Sequence, residues 1–335
     1  MRLKDPKISK EVKVRNIGIL TSGGDAPGMN ACIRAAVRAA IANDLEIIGI
    51  LRGYEGLIHG NVMTLDRRAV ANIIQQGGTI LGTARSEEFR TEEGRKKAIW
   101  ALEEAEIDGL ILIGGDGTFR GGTLLSEESG ISIIGIPGTI DNDCYGTDFT
   151  IGYDTAINTA LEAIDRIRDT AASHDRLFFV EVMGRHTGFI ALKSGIGGGV
   201  EEFILPEIPM DINELCARLQ KNFIAGKRSA IVIVAEGEQP GDSFRIAEEV
   251  RKKAHCDSRV VILGHIQRGG SPTARDRVLA SRLGIAAVEA LIDNKGGYMV
   301  GEINNEIAYT PLKDTWEKKK PLQPSLLGLL KYLAD

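Results

Sequence analysis

The feature that most constrains this chain is a regular alternation of short apolar runs with helical patterns such as 31–44 and 153–175. The apolar runs are RNIGIL (15–20), LEIIGI (45–50), GLILIGG (109–115), ISIIGI (131–136), LFFVEVM (177–183), EFILPE (202–207), SAIVIVAEG (229–237) and RVVILGH (259–265). Uninterrupted apolar strands are typical of parallel sheets covered by helices on both faces. The alternation therefore predicts an α/β fold with two similar doubly wound (Rossmann-like) lobes, each of three α/β/α layers with mainly parallel sheets.

Composition narrows the classes of function. A chain of 335 residues is longer than most single cores, and its net charge of −5 argues against a nucleic-acid partner. No apolar run reaches the 18 or so residues of a membrane span, and the polar start, residues 1–15, is expected to be a loose lead-in rather than a secretory signal. The four cysteines form no CxxC pair, so we expect a reducing cytoplasmic location and no zinc site.

Three glycine-rich turns share one format, in which an apolar strand is followed by small residues, an acid or amide, and a helix. They are TSGGDAPGMN (21–30), IGGDGTFRGG (113–122) and IPGTIDND (136–143). In parallel sheets such turns line the ligand crevice, and helix N-termini there favour phosphate. Aspartates after Pro-Gly are also ordinary turn residues, so one turn alone decides little. Three of them predict a phosphate-binding crevice.

The usual nucleotide signatures are missing from the sequence. There is no GxxxxGK[ST] loop, and no GxGxxG follows the first strand. What remains is another phosphate-binding scheme, in which Asp116 could hold Mg²⁺ that bridges phosphates. Cationic residues follow or precede strands as well, and a guanidinium grips phosphate through two hydrogen bonds. These residues are Arg85, Arg176, Arg185, Arg259, His265 and Arg268.

Six motifs taken together resemble the ATP-dependent 6-phosphofructokinase family of bacterial type. They are ILTSGGDAPGMNA (19–31), GGTILGTAR (77–85), IGGDGT (113–118), PGTIDND (137–143), VEVMGRHTG (180–188) and GHIQRGGSP (264–272). The resemblance runs from about residue 17 to about residue 303. It implies transfer of a phosphoryl group from Mg-ATP to the 1-hydroxyl of D-fructose 6-phosphate, giving fructose 1,6-bisphosphate and ADP in the committed step of glycolysis.

The resemblance also implies roles for individual residues. ATP is expected to contact Gly24, Arg85, Ser86, Gly115, Asp116, Gly117 and Thr118, with Asp116 on Mg²⁺. The catalytic residues are expected to be Asp141 as the base, supported by Thr139, Asp143 and Arg185. The sugar phosphate is expected to contact Thr139, Ile140, Asp141, Arg176, Met183, Gly184, Arg185, Glu236, Arg259, His265, Ile266, Gln267 and Arg268. Arg176 and Arg259 would reach in from a neighbouring subunit, which implies a homotetramer with shared active sites.

The family's organisation implies lobe boundaries and a regulatory site. Residues 1–151 plus 266–316 would form the ATP-binding lobe, and 152–265 plus 317–335 the fructose 6-phosphate-binding lobe, with the active site in the cleft between them. A nucleotide or phosphoenolpyruvate effector would contact Arg34, Arg38, Arg67, Arg168, Glu201 and Lys227. Ala225 and Ser229 stand where relatives often place Lys and His, which leaves the identity and sign of the effector open.

The phosphoryl donor is expected to be ATP. In the similar pyrophosphate-dependent enzymes an Asp and a Lys stand at the positions of Gly117 and Gly138, where they fill the space that a nucleoside needs. A pyrophosphate-dependent phosphofructokinase is thus one alternative, and a non-catalytic nucleotide sensor on the same fold is another. An NAD or lipid kinase would share GGDGT but would not explain PGTIDND, MGR and GHIQRGGSP together.

Overall fold

A computed structural model describes residues 14–174, 176–237, 241–254 and 256–333 of the chain, so most of the expected N-terminal lead-in lies outside the described residues. The strands are β1 Asn16–Thr21, β2 Glu46–Ile50, β3 Val62–Thr64, β4 Gly109–Gly114, β5 Ser132–Pro137, β6 Leu177–Val182, β7 Glu202–Ile204, β8 Ala230–Ala235, β9 Ser258–Ile262, β10 Tyr298–Ile303 and β11 Glu306–Pro311. The α-helices are α1 Met29–Ala42, α2 Gly53–Ile58, α3 Glu92–Glu104, α4 Asp116–Ser129, α5 Tyr153–His174, α6 Phe189–Gly197, α7 Ile212–Ile224, α8 Asp242–Ala254, α9 Ala274–Ile292, α10 Asp314–Glu317 and α11 Pro324–Leu333. Short 3-10 helices span Glu88–Arg90 and Gly264–Arg268.

The strands form two sheets of unequal size. The larger sheet has the order β11-β10-β5-β4-β1-β2-β3, in which the five inner strands are parallel and the two edge strands are antiparallel to their neighbours. The smaller sheet, β7-β8-β6-β9, is parallel throughout. The predicted α/β class with mainly parallel sheets is confirmed, although the lobes differ more in size than the sequence suggested.

The elements that the sequence missed are the strands β3, β10 and β11. β3 is three exposed residues, too short to show a pattern. β10 and β11 mix polar and apolar residues, because each is only partly buried. They pair through a two-residue turn at Asn304 and Asn305, which both have positive φ. Asparagine tolerates that conformation, and such a turn matches the twist of an antiparallel pair.

Helices cover both faces of each sheet, which explains the apolar strands. Residues of α1 and α9 pack on one face of the larger sheet, and those of α2, α3 and α4 pack on the other. In the smaller sheet, α5 and α6 cover one face, and α7 and α8 cover the other. The cluster that contains α1 and α9 continues into α5 and α6, so buried side chains run without interruption from one sheet to the other. No helix within the described ranges has the length and apolar character needed to cross a bilayer.

The chain passes from the larger sheet to the smaller one at α5 and returns at α9. The buried carboxylate of Asp276, in the first turn of α9, joins these two points. It accepts hydrogen bonds from the backbone N–H of Gly152 (2.9 Å) and from the N–H and hydroxyl of Thr155 (2.8 and 2.5 Å). After the return, β10 and β11 complete the larger sheet, while α11 packs against α6.

Candidate active site

The three glycine-rich turns meet in one cleft, because β1, β4 and β5 are adjacent in the larger sheet and their carboxyl ends share one edge. The cleft has a volume of about 670 Å³. The sequence-predicted residues that line it are Gly24, Arg85, Ser86, Gly115, Asp116, Gly117, Thr118, Thr139, Ile140, Asp141, Asp143, Arg185 and Arg268. The structure thus brings all seven residues assigned to ATP and all four assigned to catalysis to the same space.

The wall made by the start of α4 is suited to phosphate. Helix α4 begins at Asp116 after Gly115 and has no side-chain cap, so its first N–H groups are left for a ligand. The hydroxyl of Thr118 donates to the carbonyl of Ser22 at 3.1 Å, which ties this turn to the first one. The adjacent cations Arg85 and Arg120 also line the cleft and complement negative charge.

Two aromatic residues on this side of the cleft had no signal in the sequence. The rings of Tyr54 and Phe89 stack with their centroids 3.9 Å apart, and both residues line the cleft. The Tyr54 hydroxyl donates to the carbonyl of Thr118 at 2.5 Å, which fixes the start of α4 from behind. Tyr54 lies far from Thr118 in sequence, so only the fold reveals their contact.

Two of the predicted acids form a potential metal site. Ligand atoms of Asp116, Asp143 and the buried Cys144 lie within 4.8 Å of one another. Burial raises the pKa of Asp116 to about 6, and the nearby Asp143 charge adds to the effect; burial also raises the pKa of Asp143. A divalent cation would relieve this repulsion, and paired carboxylates are ligands that Mg²⁺ prefers. The donor set therefore fits Mg²⁺, while Cys144 is a neighbour that sequence reasoning did not single out.

Asp141 lies at the centre of the cleft. Its side chain is buried, and its Oδ2 lies 3.7 Å from Nε of Arg185. Its Oδ1 is buried without a hydrogen-bond partner among the described residues. Burial and, to a smaller extent, the charge of Asp143 raise the pKa of Asp141, the positive charges of Arg185 and Arg268 oppose the rise, and the resulting pKa is about 6. The result is a carboxylate that stays ionised near neutral pH and has one oxygen available to a substrate proton.

Polar residues after β8 and on the 3-10 helix Gly264–Arg268 are also incompletely bonded. Buried atoms with no hydrogen-bond partner in the described ranges include Oε2 of Glu236, Nε2 of Gln267 and Nε of Arg268. Native proteins rarely leave such atoms unpaired, so this group indicates a polar ligand. The other amide atom of Gln267, Oε1, accepts a hydrogen bond from the N–H of Met183 at 2.9 Å, which leaves its NH₂ group for that ligand.

The first glycine-rich turn meets the 3-10 helix Gly264–Arg268 at Gly24 and Arg268. A Cβ built on Gly24 would lie 2.1 Å from Nη1 of Arg268, so the arginine rests directly on the glycine backbone. Any larger residue at position 24 would displace the guanidinium. The glycine of the first turn therefore provides room for the guanidinium of Arg268.

Several residues predicted to bind the sugar phosphate do not line this cleft. Met183 and Gly184 are buried after β6, whereas His265 and Ile266 are exposed on the 3-10 helix that precedes Arg268. Arg176 precedes β6, and Arg259 lies near the start of the parallel strand β9. Both arginines thus lie toward the ends of their strands that are opposite the cleft, Arg176 about 20 Å and Arg259 about 10 Å from the carboxyl end of its strand at the rise of a parallel strand. Within one chain the structure does not bring Arg176 and Arg259 to Asp141.

The residues predicted to bind an effector are divided between the lobes. Arg168 contacts Glu201, with Nη1 and Oε1 3.4 Å apart, and also donates to the carbonyls of Gly198 and Gly199. Lys227 belongs to the same lobe. Arg34 and Arg38 lie on α1 and Arg67 follows β3, on the other lobe. A single chain therefore brings together Arg168 and Glu201 of this set.

The two glycines used to argue for an ATP donor differ in their surroundings. A Cβ on Gly117 would meet nothing within 4 Å, so a side chain there would project into open space. A Cβ on Gly138 would lie 2.8 Å from Cγ2 of Ile113 and 3.1 Å from Cε of Met29. The small size of Gly138 consequently has a packing reason of its own, and the donor argument rests more securely on Gly117.

The fold and the cleft define a two-lobed α/β protein with an anion-binding site built around buried acids. A sequence model of the family described as Phosphofructokinase matches residues 16–291. The chain is 59% identical over 321 residues to ATP-dependent 6-phosphofructokinase 1 of Thermus thermophilus, covering 96% of this chain and 100% of the relative. It is 56% identical to ATP-dependent 6-phosphofructokinase of Cytophaga hutchinsonii, covering 96% and 98%. The chain belongs to the phosphofructokinase family.

Solved structures agree with this membership. Phosphofructokinase from Saccharomyces cerevisiae superposes with a TM-score of 0.86 at 34% identity, over 96% of this chain and 47% of the yeast chain. A pyrophosphate-dependent phosphofructokinase from Marinobacter aquaeolei superposes with a TM-score of 0.82 at 21% identity, over 96% and 92%. At that identity the second similarity shows the fold alone, so it does not bear on the choice of donor.

Proposed function

We propose that this chain is an ATP-dependent 6-phosphofructokinase that transfers the γ-phosphoryl group of Mg-ATP to the 1-hydroxyl of D-fructose 6-phosphate. The observation that carries the proposal is the buried Oδ1 of Asp141, which has no hydrogen-bond partner among the described residues and lies in a glycine-lined cleft. Relatives that are 50–59% identical over nearly the whole chain carry the name of this activity.

In the proposed reaction Asp141 accepts the proton of the 1-hydroxyl as the hydroxyl oxygen attacks phosphorus. Its carboxylate is ionised above a pKa of about 6, and it is held in place by Thr139, whose hydroxyl accepts from the Asp141 N–H at 3.2 Å. Arg185, 3.7 Å from Asp141, offsets the charge on the transferring phosphoryl group. Catalysis in such kinases comes mostly from positioning and from neutralising charge, which suits a cleft rich in arginine.

The larger lobe, residues 1–151 plus 266–316, is the proposed ATP lobe. Gly24, Arg85, Ser86 and 115–118 would hold the nucleotide, since all of them line the cleft. Asp116 and Asp143 would hold Mg²⁺, which when bound offsets phosphate charge. The smaller lobe, residues 152–265 plus 317–335, is the proposed sugar lobe.

The proposed sugar contacts are made by residues of both lobes. They are Thr139, Ile140, Asp141, Met183, Gly184, Arg185, Glu236, His265, Ile266, Gln267 and Arg268. Arg176 and Arg259 would come from a second subunit, which is supported by their distance from Asp141 within one chain.

We therefore propose a homotetramer with shared active sites, located in the cytoplasm. A nucleotide or phosphoenolpyruvate effector would bind between subunits. Its proposed contacts are Arg34, Arg38, Arg67, Arg168, Glu201 and Lys227.

A coupled assay that follows fructose 1,6-bisphosphate tests this proposal directly. We expect turnover with fructose 6-phosphate, Mg²⁺ and ATP, and a rate with pyrophosphate lower by about 10³-fold or more, because Gly117 leaves the nucleoside space open. Turnover with pyrophosphate alone would replace the proposal by the first alternative. Binding of ATP without turnover by either donor would replace it by the nucleotide sensor.

A further inference from the structure

A second cavity lies on the other side of the connection that carries the catalytic acids. It has a volume of about 490 Å³ and lies between the lobes, where 142–148, α6, the ends of β10 and β11, and 318–326 meet. We call it the lysine cavity, after Lys193, Lys318 and Lys320, which line it. Its walls also carry aromatic rings, among them Tyr145 and Phe189.

Two of the three lysines are half-buried cations that form no salt bridge with any described residue. Lys320 donates to the carbonyl of Asp148 at 3.1 Å and lies over the ring of Phe189, and burial lowers its pKa to about 8. Lys193 lies over the rings of Phe149 and Tyr153, and burial lowers its pKa as well. Neither lysine forms a salt bridge in the part of the chain that the structure describes. Buried charges are normally paired, so both ammonium groups call for an anion.

The acids that line the cavity compensate the lysines only in part, since the charge of Asp148 opposes the lowering of the pKa of both Lys193 and Lys320. Asp314 forms a salt bridge with Lys318 at 2.9 Å. Asp148 accepts a hydrogen bond from the N–H of Asn304 at 2.8 Å. The cavity therefore holds one more cation than it has acids among its lining residues, and its uncompensated charge lies at Lys193 and Lys320.

One short connection separates this cavity from the cleft. Asp141 and Asp143 line the cleft, whereas Asn142 and residues 145–148 line the lysine cavity. Asn142 has a positive φ, and its Oδ1 accepts a hydrogen bond from the N–H of Thr150, so its side chain braces the connection. A ligand in the lysine cavity would therefore rest against the residues that position the proposed base.

We propose that the lysine cavity is a binding site for a small organic anion, with a phosphate or carboxylate group held by Lys193 and Lys320 and an unsaturated ring packed against the aromatic wall. Ammonium groups next to aromatic faces suit a planar anion better than a bare inorganic ion, because the rings exclude water from the contact. The site is separate from the cleft and has no role assigned under the proposed function.

Pyridoxal 5′-phosphate is a suitable probe, because it is a planar phosphate whose aldehyde condenses with a lysine amine and releases water. Borohydride then reduces the imine to a stable secondary amine that peptide mass mapping locates. The cations that line the cleft among the described residues are arginines, which do not form this imine, so labelling distinguishes the two cavities. The full-length protein is labelled for short times, and Lys96, an exposed lysine, serves as the reference.

We expect Lys320 or Lys193 to be labelled at least about tenfold faster than Lys96, a difference of about 1.4 kcal/mol in favour of the site. Pyridoxal without the phosphate should lose this preference, which separates anion binding from mere reactivity of a lysine with a lowered pKa. Lys193→Met should abolish the preference for Lys320, with thermal unfolding as the check that the variant is folded. Equal labelling by pyridoxal, or labelling in proportion to exposure, would overturn the proposal.

The site should also be coupled to turnover, a part of the inference that rests on the proposed function. Reduced, labelled protein should differ in kcat from unlabelled protein by about fivefold or more, the lower range of allosteric coupling. Selective labelling with an unchanged rate would overturn the coupling but not the binding site. Absence of any turnover before labelling would count against the proposed function alone, since the labelling itself needs no activity.

Discussion

The cleft and the lysine cavity lie on the two sides of one connection, residues 138–148, and they differ in the charged side chains that line them. The cleft contains the buried Asp141 and the half-buried Asp116 and Asp143 and is lined by arginines. The lysine cavity contains two lysines that form no salt bridge with a described residue and lie among aromatic rings. The lining of the cleft has five acids and five arginines, whereas the lining of the lysine cavity has three lysines and two acids. The connection 138–148 therefore separates two proposed anion sites, one that uses arginines beside acids and one that uses lysines beside aromatic rings.

The choice of cation in each region follows from what it must do. Arginine binds phosphate through a planar fork and keeps its charge at any accessible pH, which suits a site where a phosphoryl group is transferred. Lysine is a compact charge whose pKa shifts on burial, as it does at Lys320. The cleft is therefore permanently cationic around its acids, whereas the charge of the lysine cavity depends on what it binds and on pH.

The strongest test of this contrast is Asp141→Ser. Removing the base should lower kcat by about 10³-fold while leaving the KM for fructose 6-phosphate nearly unchanged, because the arginines that hold the sugar phosphate remain. Steady-state kinetics with the purified protein measure both constants. Asp293→Ser changes an exposed aspartate after α9 and serves as the matched control. A normal kcat in Asp141→Ser would show that Asp141 is not the base, and the contrast between the cleft and the lysine cavity would then lose its basis.

A second test sharpens the electrostatics of the cleft through pH. Asp141 has a pKa of about 6, raised by burial and then by Asp143, so kcat/KM should be constant above this value and fall as the pH decreases below it. Asp143→Asn removes the like charge, which lowers the pKa of Asp141 and should move the acidic limb to lower pH. The pH at which kcat/KM begins to fall is informative even if the variant has a lower kcat/KM at every pH. A limb that stays in place would mean that another group controls it.

The smallest effect is expected from the far side of the connection. The charge of Lys320 lowers the pKa of Asp143, so Lys320→Met should raise that pKa and reduce the rate at pH 6 relative to the rate at pH 8. The change should be a few-fold, since burial contributes more than Lys320 does. Lys96→Met, which removes an exposed lysine, should leave the ratio of the two rates unchanged. Equal ratios in both variants would show that the two cavities are electrostatically independent.

The parts of the molecule predicted from the sequence were those encoded in short segments. The turns at 21–30, 113–122 and 136–143 each follow a buried strand, and the parallel order of those strands brings their ends together without further information. The resemblance added roles that spacing alone did not give. Confirmation extends to the family and the fold, while the roles of single residues such as Glu236 stay predictions.

What the sequence could not show depends on contacts between distant segments. Tyr54 meets Thr118, Cys144 meets Asp116, and Lys320 enters a cavity whose other walls lie far away in the chain. None of these contacts could be predicted from hydrophobic periodicity, because a single side-chain contact between distant segments produces no repeating pattern in the sequence. β10 and β11 were missed because β10 has a glycine and a glutamate within its short run, and because the edge strand β11 has a single buried residue.

The position of β10 beside β5 has a consequence for synthesis. β5 ends at Pro137, but its partner strand begins about 160 residues later, and α9, which covers β5, begins at Ala274. A ribosome adding about 5 to 20 residues per second needs about 8 to 30 seconds to make that interval. During this time the nascent larger lobe carries an open strand edge, the kind of surface that pairs with other chains. Strands β6 to β9 of the smaller sheet are synthesised during this interval, so the hairpin of β10 and β11 completes the larger sheet only after the smaller sheet has been made.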